Sequence, residues 1–415
     1  MKRIQQVLGI ICLASMSILL LGGCNVKSDR TAKPLDDWSR GLSLGRTRIK
    51  QPVALQVDAD KHIHLVWCEV TADRQDALHY AHLDEQGRVL VNAPMGINLP
   101  NPRRPELLVD RENNLHLAWL SRAEGAQSLY HVLIDRDGRP TQPLLLSREE
   151  EDVNSFQMYL SVEGKTTFIW DSHTGAANEQ KGIFHLALND STSPTLLIPG
   201  GIDPFVLVDR AGTTHLTWLY EKGLSARDVY YATLEGSRVV PDGGQKLTNF
   251  EFAEGAVYNG PIIGTDTDNV YVIWSVQNLG GGLTPTAAFA FYVSFEPGKP
   301  MLTRPSSIGL PTETIPEYTD HPGPYNYHEL ALLPPRVYGS DFVNAPATVQ
   351  GQESELPVIF SLAVASPSES TIQLAMVVLS EGNPIGYQLV NTTVNASILS
   401  TLVADSDANL HLAWV

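Results

Sequence analysis

The chain has 415 residues, of which 43% are hydrophobic, 46 are acidic and 29 are lysine or arginine, giving a formal net charge of −17 and a pI near 5.1. That acid excess excludes nucleic acid and anionic lipid headgroups as direct partners, since both need a basic face. Three cysteines (Cys12, Cys24 and Cys68) are too few for a disulfide framework, so stability must come from a large apolar core.

Lys2 and Arg3 precede an almost wholly apolar run from Val7 to Leu21, which has the order of a secretory signal and is at the short limit for a membrane span. Leu21-Gly22-Gly23-Cys24 follows directly. This segment resembles the lipobox of bacterial lipoproteins, with an aliphatic residue three before the cysteine and two small residues between. The resemblance implies a signal peptide over 1–23, lipidation at Cys24, and a membrane anchor in the cell envelope facing outside the cytoplasm. Two or more acyl chains anchor stably where one binds only marginally. Residues 24–40 read as the lipidated N-terminus and a polar tether.

From residue 41 the chain repeats. Trp67, Trp119, Trp170, Trp218, Trp274 and Trp414 end one short pattern, and in four copies an aspartate (Asp58, Asp110, Asp209 and Asp405) precedes the tryptophan by nine residues. Ser161 and Thr265 stand at the aspartate position in two weaker copies. Successive spacings are 52, 51, 48 and 56 up to Trp274, then 140 to Trp414, which fits two repeats plus an insertion. The missing copy is Leu356 to Ser361, with Phe360 in the tryptophan place, making seven units.

Each unit opens with a β-type run, breaks at a polar turn such as Asp-x-x-Gly, and continues in a strand of strict alternation. Leu115, Leu117 and Trp119 fall on one face of that strand, and His116 and Ala118 on the other. A third strand and turn follow, as at Leu78 to Gly87, and then a fourth such as Val89 to Val91. Four strands in about fifty residues is the arithmetic of a propeller blade, so the predicted fold over 41–415 is an all-β propeller of seven four-stranded antiparallel blades. The pattern resembles the Asp-turn blades of bacterial β-propellers, loosely those of NHL and sialidase-type repeats. It departs from the sialidase box, because Asp209 and Gly212 are three apart rather than two.

Val415 ends one residue after the seventh unit's tryptophan, which leaves that blade incomplete. Leu42 to Ile49 are expected to lend it an outer strand, with either a short last blade or a longer natural reading frame supplying the balance.

His64, His116, His215 and His411 share one position, but equivalent side chains on successive blades stand too far apart to ring a metal, so no metal or cofactor is expected. They are expected to pack and hydrogen-bond against the neighbouring blade. The repeated tryptophans read as core and the repeated aspartates as turn caps. No Gly-x-Ser-x-Gly, His-Glu-x-x-His, phosphate-loop or Cys-x-x-Cys motif occurs. Arg103, Arg104, Arg136, Arg210 and Arg227 form no recognisable set. The insertion around 296–335 is rich in proline and glycine yet holds Tyr318, His321, Tyr325, Tyr327 and His328, which marks it as the candidate binding loop. The expected function is a lipid-anchored binding module for an envelope protein or an extracellular glycan, and the alternative is a carbohydrate-active hydrolase with its site at the channel mouth.

Overall fold

The computed structural model describes residues 41–47, most of 51–307, and the segments 342–344, 358–365, 372–380, 383–390, 400–405 and 410–414. Among the described residues the regular structure is entirely β. The first sheet holds β1 (Ala54–Val57), β2 (Ile63–Val70), β3 (Asp76–Leu83) and β4 (Val89–Pro94), and the second β5 (Pro102–Val109), β6 (Leu115–Ala123), β7 (Ala126–Ile134) and β8 (Leu144–Leu145). In the third are β9 (Glu151–Leu160), β10 (Thr166–Thr174), β11 (Gly182–Ala187) and β12 (Thr195–Pro199). The fourth comprises β13 (Gly201–Val208), β14 (Thr214–Lys222), β15 (Ala226–Glu235) and β16 (Arg238–Lys246), and the fifth β17 (Ala256–Thr265), β18 (Val270–Asn278), β19 (Ala287–Phe295) and β20 (Ser306–Ser307). A sixth follows with β21 (Phe342–Asn344), β22 (Val358–Ala365), β23 (Ile372–Ser380) and β24 (Asn383–Val390), and the seventh pairs β25 (Ser400–Ala404) with β26 (Leu410–Trp414). Phe360 lies on β22, the second strand of its sheet, where the repeat puts tryptophan elsewhere.

The seven sheets close a ring. The first strand of each touches the first strand of the next, in the order β1, β5, β9, β13, β17, β21 and β25, and β25 returns to β1. Thr401 Oγ1 donates to the Val53 carbonyl at 2.5 Å across that seam. Leu55, Leu65 and Trp67 of the first sheet share one apolar cluster with Ala413 and Val403 of the seventh. Residues 41–47 supply no strand, contrary to expectation. Instead Gly41 lies against the Trp414 ring and Gly45 against the Trp67 ring, so close that a Cβ at Gly45 would meet Trp67 Cζ2 at 2.7 Å.

Strict alternation on the second strand separates two interfaces. Leu115, Leu117 and Trp119 pack against Val66, Leu78 and Tyr80 of the first sheet, while Ala118 and Leu120 pack against Phe156, Phe168 and Trp170 of the third. Both faces of β6 are therefore core, which is why a half-polar alternation never appears there. The aspartates cap the turn between the first two strands. Asp110 Oδ1 accepts from the amides of Glu112 at 3.0 Å and Asn114 at 2.7 Å, and Asp209 Oδ1 accepts from Thr213 at 2.7 Å. The third residue after the cap takes a left-handed φ in four turns, 63° at Lys61, 64° at Asn113, 79° at Gly164 and 82° at Gly212. This conformation explains the glycine or asparagine in three of the four turns, and Lys61 adopts it as an ordinary side-chain residue.

Candidate functional site at the channel mouth

Because the inner strands run the same way round the ring, their first residues share one rim. Four of them bulge there: the register shifts between Arg103 and Glu106, between Ile202 and Phe205, between Asn259 and Ile262, and opposite Asp171 and Ser172. Pro105, Pro204 and Pro261 occupy three of these bulges, where no ladder N–H is needed. Arg104 and Asp203 stand immediately before two of those prolines with left-handed φ of 49° and 48°. Such a backbone costs on the order of 1 kcal/mol or more for a residue with a side chain, and it re-aims that side chain relative to the sheet.

An arc of hydrogen bonds runs along this rim through four blades. Gln51 Oε1 accepts the Arg104 amide at 2.7 Å, and Arg104 Nη1 donates to the Asn154 carbonyl at 3.1 Å. Asn154 Nδ2 donates to Asp171 Oδ2 at 3.0 Å, and the same oxygen receives the Asp203 amide at 3.3 Å. Asp171 Oδ1 takes the Ser155 amide at 2.6 Å and also the Ser155 hydroxyl. Asp171 itself is fully buried, whereas Asn154 is exposed and Arg104 and Asp203 are half-buried. Charged and amide groups are thereby held at the surface by a carboxylate that never reaches it.

Four arginines border the same rim. Arg103 and Arg104 lie at the start of β5, Arg122 at the end of its partner β6, and Arg148 just before β9. Arg122 is 4.0 Å from Asp152, and Arg148 Nε is 3.7 Å from the buried Glu151 carboxylate, which also accepts the Trp170 indole N–H at 3.1 Å. His173 pairs in register with Asp152, and its Nδ1 is buried with no hydrogen-bond partner among the described residues.

The repeated histidines face the other way, toward the capped turns. His64 Nε2 meets Asp58 Oδ2 at 3.2 Å and His215 meets Asp209 at 3.0 Å, while Nδ1 of each accepts a tyrosine hydroxyl, from Tyr80 at 2.8 Å and Tyr231 at 2.7 Å. Burial lowers the proton affinity of both imidazoles and outweighs the aspartate beside each, and burial likewise raises both phenols. Their main partners are in their own blade rather than the next. Among the described residues His116 also reaches across, to Thr166 Oγ1 at 3.3 Å. Among the described residues no group of three or more histidine, cysteine, aspartate or glutamate side chains is placed to hold a metal.

Of the residues singled out in the sequence, Cys24, Tyr318, His321, Tyr325, Tyr327 and His328 lie outside the described residues, as do Arg136 and Arg210. Arg103 and Arg104 belong to a strand at the mouth. Asn154, Asp171, Asp203 and His173 escaped the sequence reading. The signal for Asp171 was present: it follows the tryptophan where other repeats carry Cys68, Leu120 and Leu219.

No family model matches the chain and no curated protein matches it. Solved structures do. An ulvan lyase of polysaccharide lyase family PL25, bound to -[GlcA(1-4)Rha3S]-, is 10% identical, with 87% of this chain and 88% of that one covered at a TM-score of 0.53. A thermostable family-43 glycoside hydrolase is 11% identical, covering 69% of this chain and 99% of its own at 0.40. The Penicillium chrysogenum α-L-arabinanase in complex with arabinobiose is 11% identical, covering 72% and 95% at 0.42. At this identity the lyase likeness establishes the shared β-propeller fold.

The comparison also corrects the expected binding module without chemistry. The ulvan lyase that shares the fold is a carbohydrate-cleaving enzyme, the class of the carbohydrate-active alternative and not of the expected module.

Proposed function

We propose that the chain is a carbohydrate-active enzyme that cleaves an acidic polysaccharide at the channel mouth. The observation that carries this reading is the rim arc from Gln51 through Arg104, Asn154 and Asp171 to Asp203, flanked by arginines on a protein that is otherwise strongly acidic. Arg103 and Arg104 would hold the carboxylate or sulfate of the sugar, for which a planar guanidinium is the suited donor. Cleaving a uronate by elimination removes the proton next to the carboxylate, forms a carbon–carbon double bond and expels the glycosidic oxygen. Neutralising the carboxylate makes that proton more acidic, and the half-exposed Asp203 and His173 are the groups at the rim able to carry protons. The ulvan lyase, whose fold this chain shares, is a lyase of a glucuronate-containing polymer, and this supports elimination over hydrolysis.

The test is a panel of uronate-containing polysaccharides incubated with the mature protein. New ultraviolet absorbance from an unsaturated uronate together with new reducing ends is expected. Reducing ends without that absorbance would assign the site to hydrolysis, and no cleavage of any acidic or neutral polymer would overturn the enzymatic reading.

Export and anchoring through Cys24 belong to the same proposal, since a polymer substrate is met outside the cytoplasm. Labelled palmitate should enter the natural protein and not Cys24→Ala. The insertion between β20 and β21, with Tyr318, His321, Tyr325, Tyr327 and His328, belongs to it as well. Links from a sheet's fourth strand to the next sheet's first strand return to the mouth rim, so this segment is the one to add aromatic contacts to the sugar. Tyr325→Ser with Tyr327→Ser should then weaken polysaccharide binding and leave thermal unfolding unchanged.

A further inference from the structure

A buried carboxylate is expensive unless every lone pair finds a donor, and a propeller blade has no structural need for one at Asp171. The corresponding positions are Cys68 on β2, Leu120 on β6 and Leu219 on β14, all buried. Blade packing is therefore satisfied there by a thiol or by leucine. In the third sheet alone among these four the position carries a charge, and the rim supplies donors to it: Ser155 by amide and hydroxyl, Asn154 by side-chain amide, and Asp203 by backbone amide from the next blade.

We propose that Asp171 is a positioning residue for the mouth, setting Asp203 and Asn154 in place without touching the sugar itself. This rests on the reading of the mouth as the reactive site. One carboxylate oxygen receives both the Asn154 amide and the Asp203 N–H, so it fixes the separation of two adjacent blades where the backbone is most distorted. The Asp203 amide is the donor of a residue held at φ 48°, so the hydrogen bond also holds the conformation that aims the Asp203 carboxylate. Cys68 acts in a similar way one blade pair earlier, its thiol donating to the Pro102 carbonyl at 3.2 Å with Gln51 Oε1 beside it at 3.5 Å. That thiol carries no charge to orient a polar group as strongly.

Asp171→Asn keeps an oxygen for Ser155 but sets an amide N–H against the Asn154 and Asp203 donors. In the full mature protein acting on the uronate polysaccharide, kcat should fall about a hundredfold, as a misplacement near 1 Å does, with KM changed less than about threefold. Asp203→Asn should produce a comparable loss, and the double variant should be no worse than the weaker single one, because both act through one carboxylate. A wild-type kcat in Asp171→Asn, or losses that multiply in the double variant, would overturn the proposal. Should the wild-type protein cut no polysaccharide, the enzymatic reading fails, and amide hydrogen exchange decides the positioning role on its own. Faster exchange at Asp203 in Asp171→Asn sustains it, and exchange equal to wild type refutes it.

Discussion

Asp209 both caps a turn and holds His215: Oδ1 takes the Thr213 amide at 2.7 Å, while Oδ2 meets His215 Nε2 at 3.0 Å. The imidazole is thereby fixed as the Nε2–H tautomer, and its Nδ1 accepts the Tyr231 hydroxyl at 2.7 Å. Tyr231→Phe leaves that nitrogen buried and unbonded, so the protein should lose about 1–3 kcal/mol, read as a shift of the urea midpoint. An unchanged midpoint would mean that the hydroxyl contributes nothing to the blade.

Gly244 lies on β16 with φ +72°, and a Cβ there would sit 2.1 Å from Trp218 Cη2. Gly244→Ala should cost more than about 3 kcal/mol, beyond ordinary overpacking, because neither the backbone nor the ring has room to yield. Trimming the ring with Trp218→Leu should make the alanine markedly cheaper, so the two changes will not add. Equal alanine penalties in both backgrounds would show that backbone strain alone is responsible.

Burial, followed by the neighbouring imidazoles, holds His82 down to about 4 and His131 down to about 3, against an ordinary value of 6.5. A histidine depressed in the folded state is stable while neutral. The unfolded chain takes up the proton first, so stability is full above 6.5 and is lost as pH falls toward about 4. Each tenfold difference in proton affinity is worth about 1.4 kcal/mol. Thermal midpoints measured across that range should decline, and the decline should be shallower in His131→Gln. A flat profile would contradict the buried, neutral state.

The Cys68 thiol is 3% exposed and pushed up to about 12, chiefly by burial. It should resist a soluble thiol reagent in the native protein and react promptly in denaturant. Rapid native labelling would show that the seam between the first two blades opens readily.

The ring was legible in the sequence because its period is written in large side chains. Trp119, Trp170, Trp218 and Trp274 are essentially inaccessible to solvent, and the nine-residue interval back to the aspartate is a turn geometry the chain repeats. The mouth was hidden because its residues depend on bulges. Arg104-Pro105 and Asp203-Pro204 look like loop dipeptides in one dimension, and only pairing with β6 and β14 shows them as displaced strand residues. Ser155 and Asp171 are sixteen residues apart and meet across one hairpin, a relation that neither spacing nor composition announces.

Five of the described tryptophans lean on the blade before them: Trp119 on the first sheet, Trp170 on the second, Trp218 on the third, Trp274 on the fourth, and Trp67 on the seventh. Each of these five joints is thus head-to-tail, with plug and socket on opposite faces of the blade, as in a cyclic assembly of identical subunits. None of the five is a keystone. The seam between Trp67 and Ala413 uses the same fitting as the other four, so chain connectivity there is dispensable in principle, and circular permutation through any of those four blade-to-blade links should preserve the ring.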